Sequence, residues 1–489
     1  MRVYSSTRGG VGDLAAAEAI IQGLAPDGGL FVPDAIPPLP DLPEGKADYR
    51  DIAVPVIGAF FDDYAEEEIR RAAELAYDSK FDTEEIVPLK KAGGAYFLEL
   101  YHGKTSAFKD MALSILPYLL TGAVRKTGDD RRILILTATS GDTGKAALEG
   151  FADVPGTEIA VFYPETGVSE IQKRQMVTQT GANTQVFAIR GNFDDAQTGV
   201  KKIFEDSAFA GELSGRGVRL SSANSINIGR LVPQVAYYVY AYRQMVLRGE
   251  IKKGGNVNIC VPTGNFGNIL AAYFAHEMGI PVARLICASN ENNVLTDFIR
   301  TGTYDIHRTF RVTNSPSMDI IISSNLERLL FLLNGRRADE VVRMMDELKR
   351  FGRYSVPEKI RDGLKLFYGG CASQEETTDA IGEMYRREGY LMDTHTAVAY
   401  KVFRDYVSET GDRTKTVIAS TASPFKFPRS VAGAVGIEMD ADDFTLSRMI
   451  SEKTGLPIPR GLADLEKKPV LHDRTVAPDE MKKAIEDIL

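Results

Sequence analysis

From about residue 95 onward, short apolar runs alternate with segments of helical periodicity, the pattern of βα units that build a largely parallel sheet. Three units share one layout: an apolar strand, a loop rich in glycine and hydroxyl residues, then a helix. The first predicts a strand over Ala95–Leu100, the loop His102-Gly103-Lys104-Thr105-Ser106, and a helix over Ala107–Val124 that Pro117 should kink. The second predicts a strand over Ile133–Leu136, the loop Thr139-Ser140-Gly141-Asp142-Thr143-Gly144, and a helix over Lys145–Phe151. The third predicts a strand over Val257–Val261, the loop Thr263-Gly264-Asn265-Phe266-Gly267-Asn268, and a helix over Ile269–Met278. In an open α/β sheet the loops at the strand carboxyl ends form the ligand crevice, so a site is expected at these three loops.

Residues 1–90 have a different texture and read as a small lead domain. Asp13–Gly23 predicts an Ala-rich helix ended by Gly23, Pro26-Asp27-Gly28-Gly29 a turn, and Leu30-Phe31-Val32 a short strand. Within Tyr64–Ala76, Ile69, Ala72, Ala73 and Ala76 share one helical face, and the acidic residues opposite read as a solvated surface. Residues 338–392 predict an additional helical, charged region.

Composition narrows the function classes. At 489 residues the chain is too long for one ordinary core, and 44% hydrophobic with 26% charged residues is ordinary globular usage. A formal net charge of −9 argues against a general nucleic-acid binder, which needs a basic face. Cys260, Cys287 and Cys371 form no C-x-x-C pair, and the five histidines form no H-E-x-x-H, so neither a disulfide framework nor a metal site is expected. The first residues lack an apolar signal core, and no apolar stretch is long enough to span a bilayer. A cytoplasmic protein with a small-molecule partner, neither nucleic acid nor membrane, is the expectation.

The loops carry the candidate chemistry. A helix start offers unpaired N–H groups and a positive dipole end, and glycine lets an anion approach the backbone. Gly264-Asn265-Phe266-Gly267-Asn268 fits a phosphate cradle but is neither a Walker loop nor G-x-G-x-x-G, which weakens ATP and dinucleotide readings. On this motif alone, phosphate binding and a plain tight turn both stay open. Asn224-Ser225-Ile226-Asn227-Ile228-Gly229-Arg230 places polar side chains where an apolar helix begins, either to hold an anion or to cap the helix. Lys109 follows Ser106-Ala107-Phe108 at a strand-to-helix loop with apolar residues on both sides. A lysine partly desolvated there can serve as a Schiff-base nucleophile and a general base.

His102–Asp110 resembles the lysine motif of threonine synthases, H-G-P-T-x-A-F-K-D. The segments Ser140–Gly144, Asn224–Arg230, Gly264–Asn268, Ser315–Asp319 and Ser324–Arg328 are similar to that family in the same order, as are Tyr4–Gly9 and Gly23–Pro33. The resemblance runs from residue 1 to about 430 and favours the long bacterial and fungal type. Two positions depart from it: Lys104 stands where many members have proline, and Ser423 where many have histidine.

The resemblance implies an α/β protein of pyridoxal-phosphate fold type II, tryptophan synthase β-like, with open, mostly parallel sheets and flanking helices. Its implied regions are an N-terminal domain over 1–90, a catalytic region of two subdomains around a cleft over 91–430, and a packed extension over 431–489. It implies pyridoxal 5'-phosphate carried on Lys109, with its phosphate on Gly264, Asn265, Phe266, Gly267 and Asn268. Asp142 would lie near the cofactor's 3′-oxygen and Thr421 at its pyridine nitrogen. The substrate phosphate falls to Ser140, Thr143, Asn224, Ser225 and Arg230, with Lys104 and Thr105 of the lysine loop beside them. The implied reaction converts O-phospho-L-homoserine and water to L-threonine and phosphate. A monomer is expected, with a homodimer the alternative. The competing readings are a threonine or serine dehydratase of the same fold, which needs no second phosphate site, and a non-catalytic phosphate-binding relative.

Overall fold

The computed structural model describes residues 1–139, 141–166 and 168–489, without the side chain of Asp194. Two parallel sheets carry the molecule. The larger has six strands in the order Phe367–Cys371, Val282–Ser289, Val257–Pro262, Thr416–Ser420, Ala95–Glu99 and Leu89–Ala92, with only the last pair antiparallel. The smaller has five parallel strands in the order Thr475–Val476, Thr184–Ile189, Thr157–Pro164, Arg132–Ala138 and Val218–Ser221. Helices cover these sheets, which is why their strands read as continuous apolar runs: all of Val257–Pro262 and Thr416–Ser420 is buried.

The three strand–loop–helix units fall where the pattern placed them. Their strands are Ala95–Glu99, Arg132–Ala138 and Val257–Pro262. The helices of the second and third units begin inside their loops, at Asp142 and Gly267. The single helix expected over Ala107–Val124 is two, Asp110–Leu113 and Leu116–Thr127. Pro117 sits in the first turn of the second, where a missing N–H costs no hydrogen bond, so it starts a helix rather than kinking one. The region 338–392 is mostly helical, but it also hides the edge strand Phe367–Cys371. Gly369 and Gly370 mask that strand in the sequence. They are small because the Thr296 backbone and Val402 press on it, leaving only 3.0 and 2.6 Å to a Cβ at each position.

The lead segment forms the antiparallel pair Tyr4–Ser6 and Phe31–Pro33, and the helices Ala16–Gln22, Tyr49–Phe60 and Glu66–Ala76. It has no core of its own. Tyr49 packs edge-on against Tyr77 at 5.1 Å and Tyr240 at 5.5 Å, and one apolar cluster runs from Tyr4 through the helix Ile228–Leu247. At the other end of the chain, Met481, Ala484 and Ile485 close the core of the five-stranded sheet. Among the described residues, no helix is long and apolar enough to cross a membrane.

Candidate active site

Lys109 stands immediately before the helix Asp110–Leu113. Its loop is stitched to the segment after the strand Thr416–Ser420: Phe108 N donates to Thr421 O at 2.8 Å, and Ser423 N donates to Ser106 O at 3.0 Å. Ser106 is buried in the left-handed region, with φ 59°, an uncommon backbone state for a non-glycine residue. Thr421 lies on this seam. Its backbone N–H meets Thr396 Oγ1 at 3.3 Å, and Thr396 in turn donates to Asp393.

Asp142 opens its helix and faces two lysines. Lys426 Nζ is 2.9 Å from Oδ1 and Lys109 Nζ is 3.5 Å from Oδ2. Gln172 Nε2 also donates to Oδ1 at 2.8 Å, and Ser317 Oγ to Oδ2 at 3.4 Å. Burial alone would raise this carboxyl, but the two ammonium groups outweigh it and hold Asp142 well below the usual carboxylate range. Burial lowers Lys109, and Arg230 and Lys426 add to the effect against the pull of Asp142. The result is an amine easier to deprotonate than an ordinary lysine.

The loop Gly264–Asn268 joins the strand Val257–Pro262 to the helix Gly267–Glu277, with Phe266 left-handed at φ 64°. Its backbone is braced from outside: Ser323 Oγ donates to Gly264 O at 2.6 Å, and Asn325 Nδ2 to Asn265 O at 3.1 Å. Tyr237 and Tyr238 both donate to Asn268 Oδ1, the former at 2.7 Å, while Asn268 Nδ2 is buried without a partner among the described residues. A helix start with an unused buried donor suits an anion.

Arg230 is a buried charge beside these loops. It is 3% exposed, donates through Nη1 to Ala223 O at 2.9 Å, and leaves Nε without a partner among the described residues. Desolvation pulls the guanidinium down to about 10, with only Tyr237 opposing it. A buried guanidinium without a carboxylate is costly unless an anion visits it. Half-buried Asn224 and Ser225 lie just before this helix, and Asn325 Nδ2 donates to Ser225 Oγ at 3.3 Å, so this cluster and the Gly264–Asn268 loop share a brace.

The remaining expected residues divide. Ser140 lies outside the described residues, and Thr143 is half-buried at the start of the Asp142–Phe151 helix. Thr105 is buried and its hydroxyl donates to Asp110 at 2.6 Å, so it holds the loop's shape. Lys104 is half-exposed and its ammonium is paired with Glu149 at 2.7 Å. Ser423 is buried and caps a short 3₁₀ turn through Phe425 N. Sequence reasoning missed Lys426, Gln172, Ser317 and the pair His395–Asp393, whose ring nitrogen and carboxylate lie 2.8 Å apart. His395 Nε2 accepts from Ser317 N at 3.1 Å, which ties the pair to the Asp142 network. Signals existed for Ser317, which lies in the Ser315–Asp319 segment, and for Lys426, a lysine between two phenylalanines three residues beyond Ser423.

Two mostly parallel sheets with a buried lysine before a helix and a glycine-rich loop at a strand end fit the pyridoxal-phosphate-dependent enzymes of fold type II, and a family model described as Pyridoxal-phosphate dependent enzyme matches residues 85–349. Models described as Threonine synthase N terminus and Threonine synthase, C-terminal match residues 3–77 and 396–487. The chain belongs to the threonine synthase family. It is 39% identical to a threonine synthase of Pseudomonas aeruginosa over 437 residues, covering 88% of this chain and 90% of that one. It is equally 39% identical to human threonine synthase-like 1, but the match covers 86% of this chain and only 58% of that longer protein. The PLP-bound threonine synthase from Brucella melitensis superposes with a TM-score of 0.87 at 34% identity, covering 100% and 99% of the two chains. The yeast threonine synthase gives 0.87 at 32% identity, covering 99% and 98%.

Proposed function

We propose that this chain is a threonine synthase, converting O-phospho-L-homoserine and water to L-threonine and phosphate by β,γ-elimination and replacement. The observation that carries this reading is Arg230: a buried guanidinium with an unpartnered Nε, near enough to Lys109 to depress its basicity. A dehydratase of the same fold has no second phosphate to place there.

The residues present fit pyridoxal phosphate. Gly264, Asn265, Phe266, Gly267 and Asn268 would hold its phosphate, with the buried, unpartnered Asn268 Nδ2 as one donor. Lys109 would carry it, Asp142 would face its ring oxygen, and Thr421 its ring nitrogen. When bound, the cofactor supplies an electron sink for a carbanion at the substrate's α-carbon. Lys109, whose burial favours the free amine, takes the α-proton and later returns one. Arg230, Asn224, Ser225 and Thr143 orient the substrate phosphate and receive it as it leaves the γ-carbon; Ser140 and Lys104 complete this group in our reading. A β-proton is lost as phosphate leaves, the γ-carbon gains a proton, and water then adds at the β-carbon, so the site must stay dry until phosphate departs.

The test is phosphate release from O-phosphohomoserine with threonine detection. Serine or threonine deamination without phosphate release would favour the dehydratase. Phosphate binding without turnover would favour a non-catalytic role. Borohydride reduction of the yellow protein should fix the cofactor on Lys109, and label on another lysine would overturn that assignment. We further read residues 1–90, 91–430 and 431–489 as the functional regions, and the protein as a cytoplasmic monomer. Its three cysteines are free thiols, which suits that compartment. Light scattering and cell fractionation test these two points.

A further inference from the structure

We propose that Lys426 is the standing counter-charge of Asp142, and that by occupying this carboxylate it frees the Lys109 amine to act as the base. The inference rests on the reading of Lys109 as the cofactor lysine and adds a positioning residue to that site.

The geometry separates the two lysines. Lys426 is fully buried, and its Nζ meets three acceptors: Asp142 Oδ1 at 2.9 Å, Gln175 Oε1 at 2.6 Å and Thr105 O at 3.1 Å. Three acceptors match the three N–H donors of an ammonium, and a neutral amine would turn its lone pair toward one of them. Lys109 has a single looser polar approach among the described residues, 3.5 Å to Asp142 Oδ2, and its Nζ lies 4.9 Å from the centre of the Phe108 ring. Oδ1 is thus shared by Lys426 and Gln172, while among the described residues Oδ2 faces Lys109 and Ser317 Oγ.

The surrounding charges act in the same direction. Asp142, Arg230 and Lys426 are the charged groups that face Lys109. Lys426 itself faces Asp142 and, beyond Thr105, the buried carboxyl of Asp110. Without Lys426, Asp142 would be a buried anion whose nearest cation is Lys109, and it would hold that amine protonated. With Lys426 in place, Lys109 has two cations and one anion around it, and its free-base form is favoured. The charge that fixes the carboxylate therefore comes from a lysine that does no chemistry.

The test uses cofactor-free protein, so that it reads Lys109 directly. Trace acetylation across a pH series, with mass spectrometry of the Lys109 peptide, gives the pH at which its amine becomes reactive. In Lys426→Gln this midpoint should rise by about one unit or more, leaving roughly tenfold less free amine at neutral pH. In Lys426→Arg, which keeps the charge, it should stay near the unmodified value. An unchanged midpoint in folded Lys426→Gln, or an equal shift in Lys426→Arg, would overturn the proposal. A second measurement needs no neutral variant. A 15N-lysine spectrum of the unmodified protein should show a slowly exchanging buried ammonium that Lys426→Arg removes, and its absence overturns the proposal even if Lys426→Gln fails to fold. Borohydride labelling of a different lysine would instead remove the cofactor assignment, so the two failures are distinguishable.

Discussion

If the proposed function holds, Arg230 is where one side chain decides the reaction. Its guanidinium is held in place by Ala223 O and the packing around a buried helix start, yet among the described residues it has no carboxylate partner. That arrangement costs stability in the free protein and gains it back when an anion arrives. Arg230→Leu should therefore raise KM for O-phosphohomoserine and leave cofactor binding nearly intact. Losing a charge-assisted pair to a buried phosphate costs roughly 1.5–3 kcal/mol, so about a tenfold to hundredfold drop in kcat/KM is expected. Steady-state kinetics beside a cofactor titration measure both. If Arg230 only packs the helix, the melting temperature changes and the kinetics of the folded enzyme do not.

Loops act as units at the next scale, and the two glycines of the Gly264–Asn268 loop separate folding from binding. A Cβ at Gly264 would lie 2.8 Å from Ser317 O, inside the protein's own backbone. A Cβ at Gly267 would meet nothing closer than Asn325 Nδ2 at 3.5 Å, an ordinary contact. Gly264→Ala should thus lower the melting temperature of cofactor-free protein. Gly267→Val should affect that temperature less but weaken pyridoxal phosphate affinity, read by absorbance titration. Equal cofactor affinity in folded Gly267→Val would remove the loop from the site. The lysine loop has its own anchor in His102, which lies 2.6 Å from Asp82 Oδ1 and 3.0 Å from Glu99 Oε2. Desolvation opposes its protonation, but the two carboxylates prevail and raise it from 6.5 to about 9. A raised histidine contributes stability fully below pH 6.5, and that contribution is lost as pH climbs through 9. His102→Gln should cost roughly 2 kcal/mol near pH 6, after discounting for solvent at Asp82, and much less near pH 10. Urea unfolding at both pH values tests this, and an equal loss at both would mean His102 acts through packing alone.

For the molecule as a whole, Arg328 joins the lead segment to the site. It is fully buried, and its guanidinium donates to Phe31 O at 2.9 Å, to Ile226 O, and to Asn325 Oδ1. Phe31 belongs to the N-terminal strand pair, Ile226 to the segment before Arg230, and Asn325 braces Asn265. Beside it, Arg8 forks onto Glu327 at 3.0 and 2.9 Å, with Thr7 Oγ1 on the same carboxylate at 2.6 Å. The lead segment is thereby tied both to the Asn224–Arg230 segment and to the Gly264–Asn268 loop. Arg328→Met leaves three buried acceptors unpaired, and the expected cost is about 3–5 kcal/mol. The stabilisation that added pyridoxal phosphate confers should shrink in the same variant, because the Asn325 brace loosens. Melting curves with and without cofactor measure both effects. An unchanged cofactor increment would confine Arg328 to stability.

Local chemistry was legible in the sequence and long-range pairing was not. The alternation of apolar runs with helical spacing, and the glycines that end strands, are properties of neighbouring residues, so the three strand–loop–helix units could be read directly, while the Gly264–Asn268 loop stayed open between an anion cradle and a tight turn. Lys109, Asp142, Thr421 and Arg230 stood out because each sits in a motif only a few residues long. The six-strand order, in which Thr416–Ser420 lies between Val257–Pro262 and Ala95–Glu99, depends on contacts across more than 300 residues and leaves no local trace. The edge strand Phe367–Cys371 was hidden because its glycines answer to Thr296 and Val402, which only the folded chain brings near. The ion pairs were decided in the same way. An isolated lysine is a surface residue by default, and nothing around Lys426 in the sequence supplies the carboxylate, amide and carbonyl that make its burial tolerable. The tertiary fold collects those three groups from residues 142, 175 and 105, and so sets a buried, fully paired lysine beside Lys109.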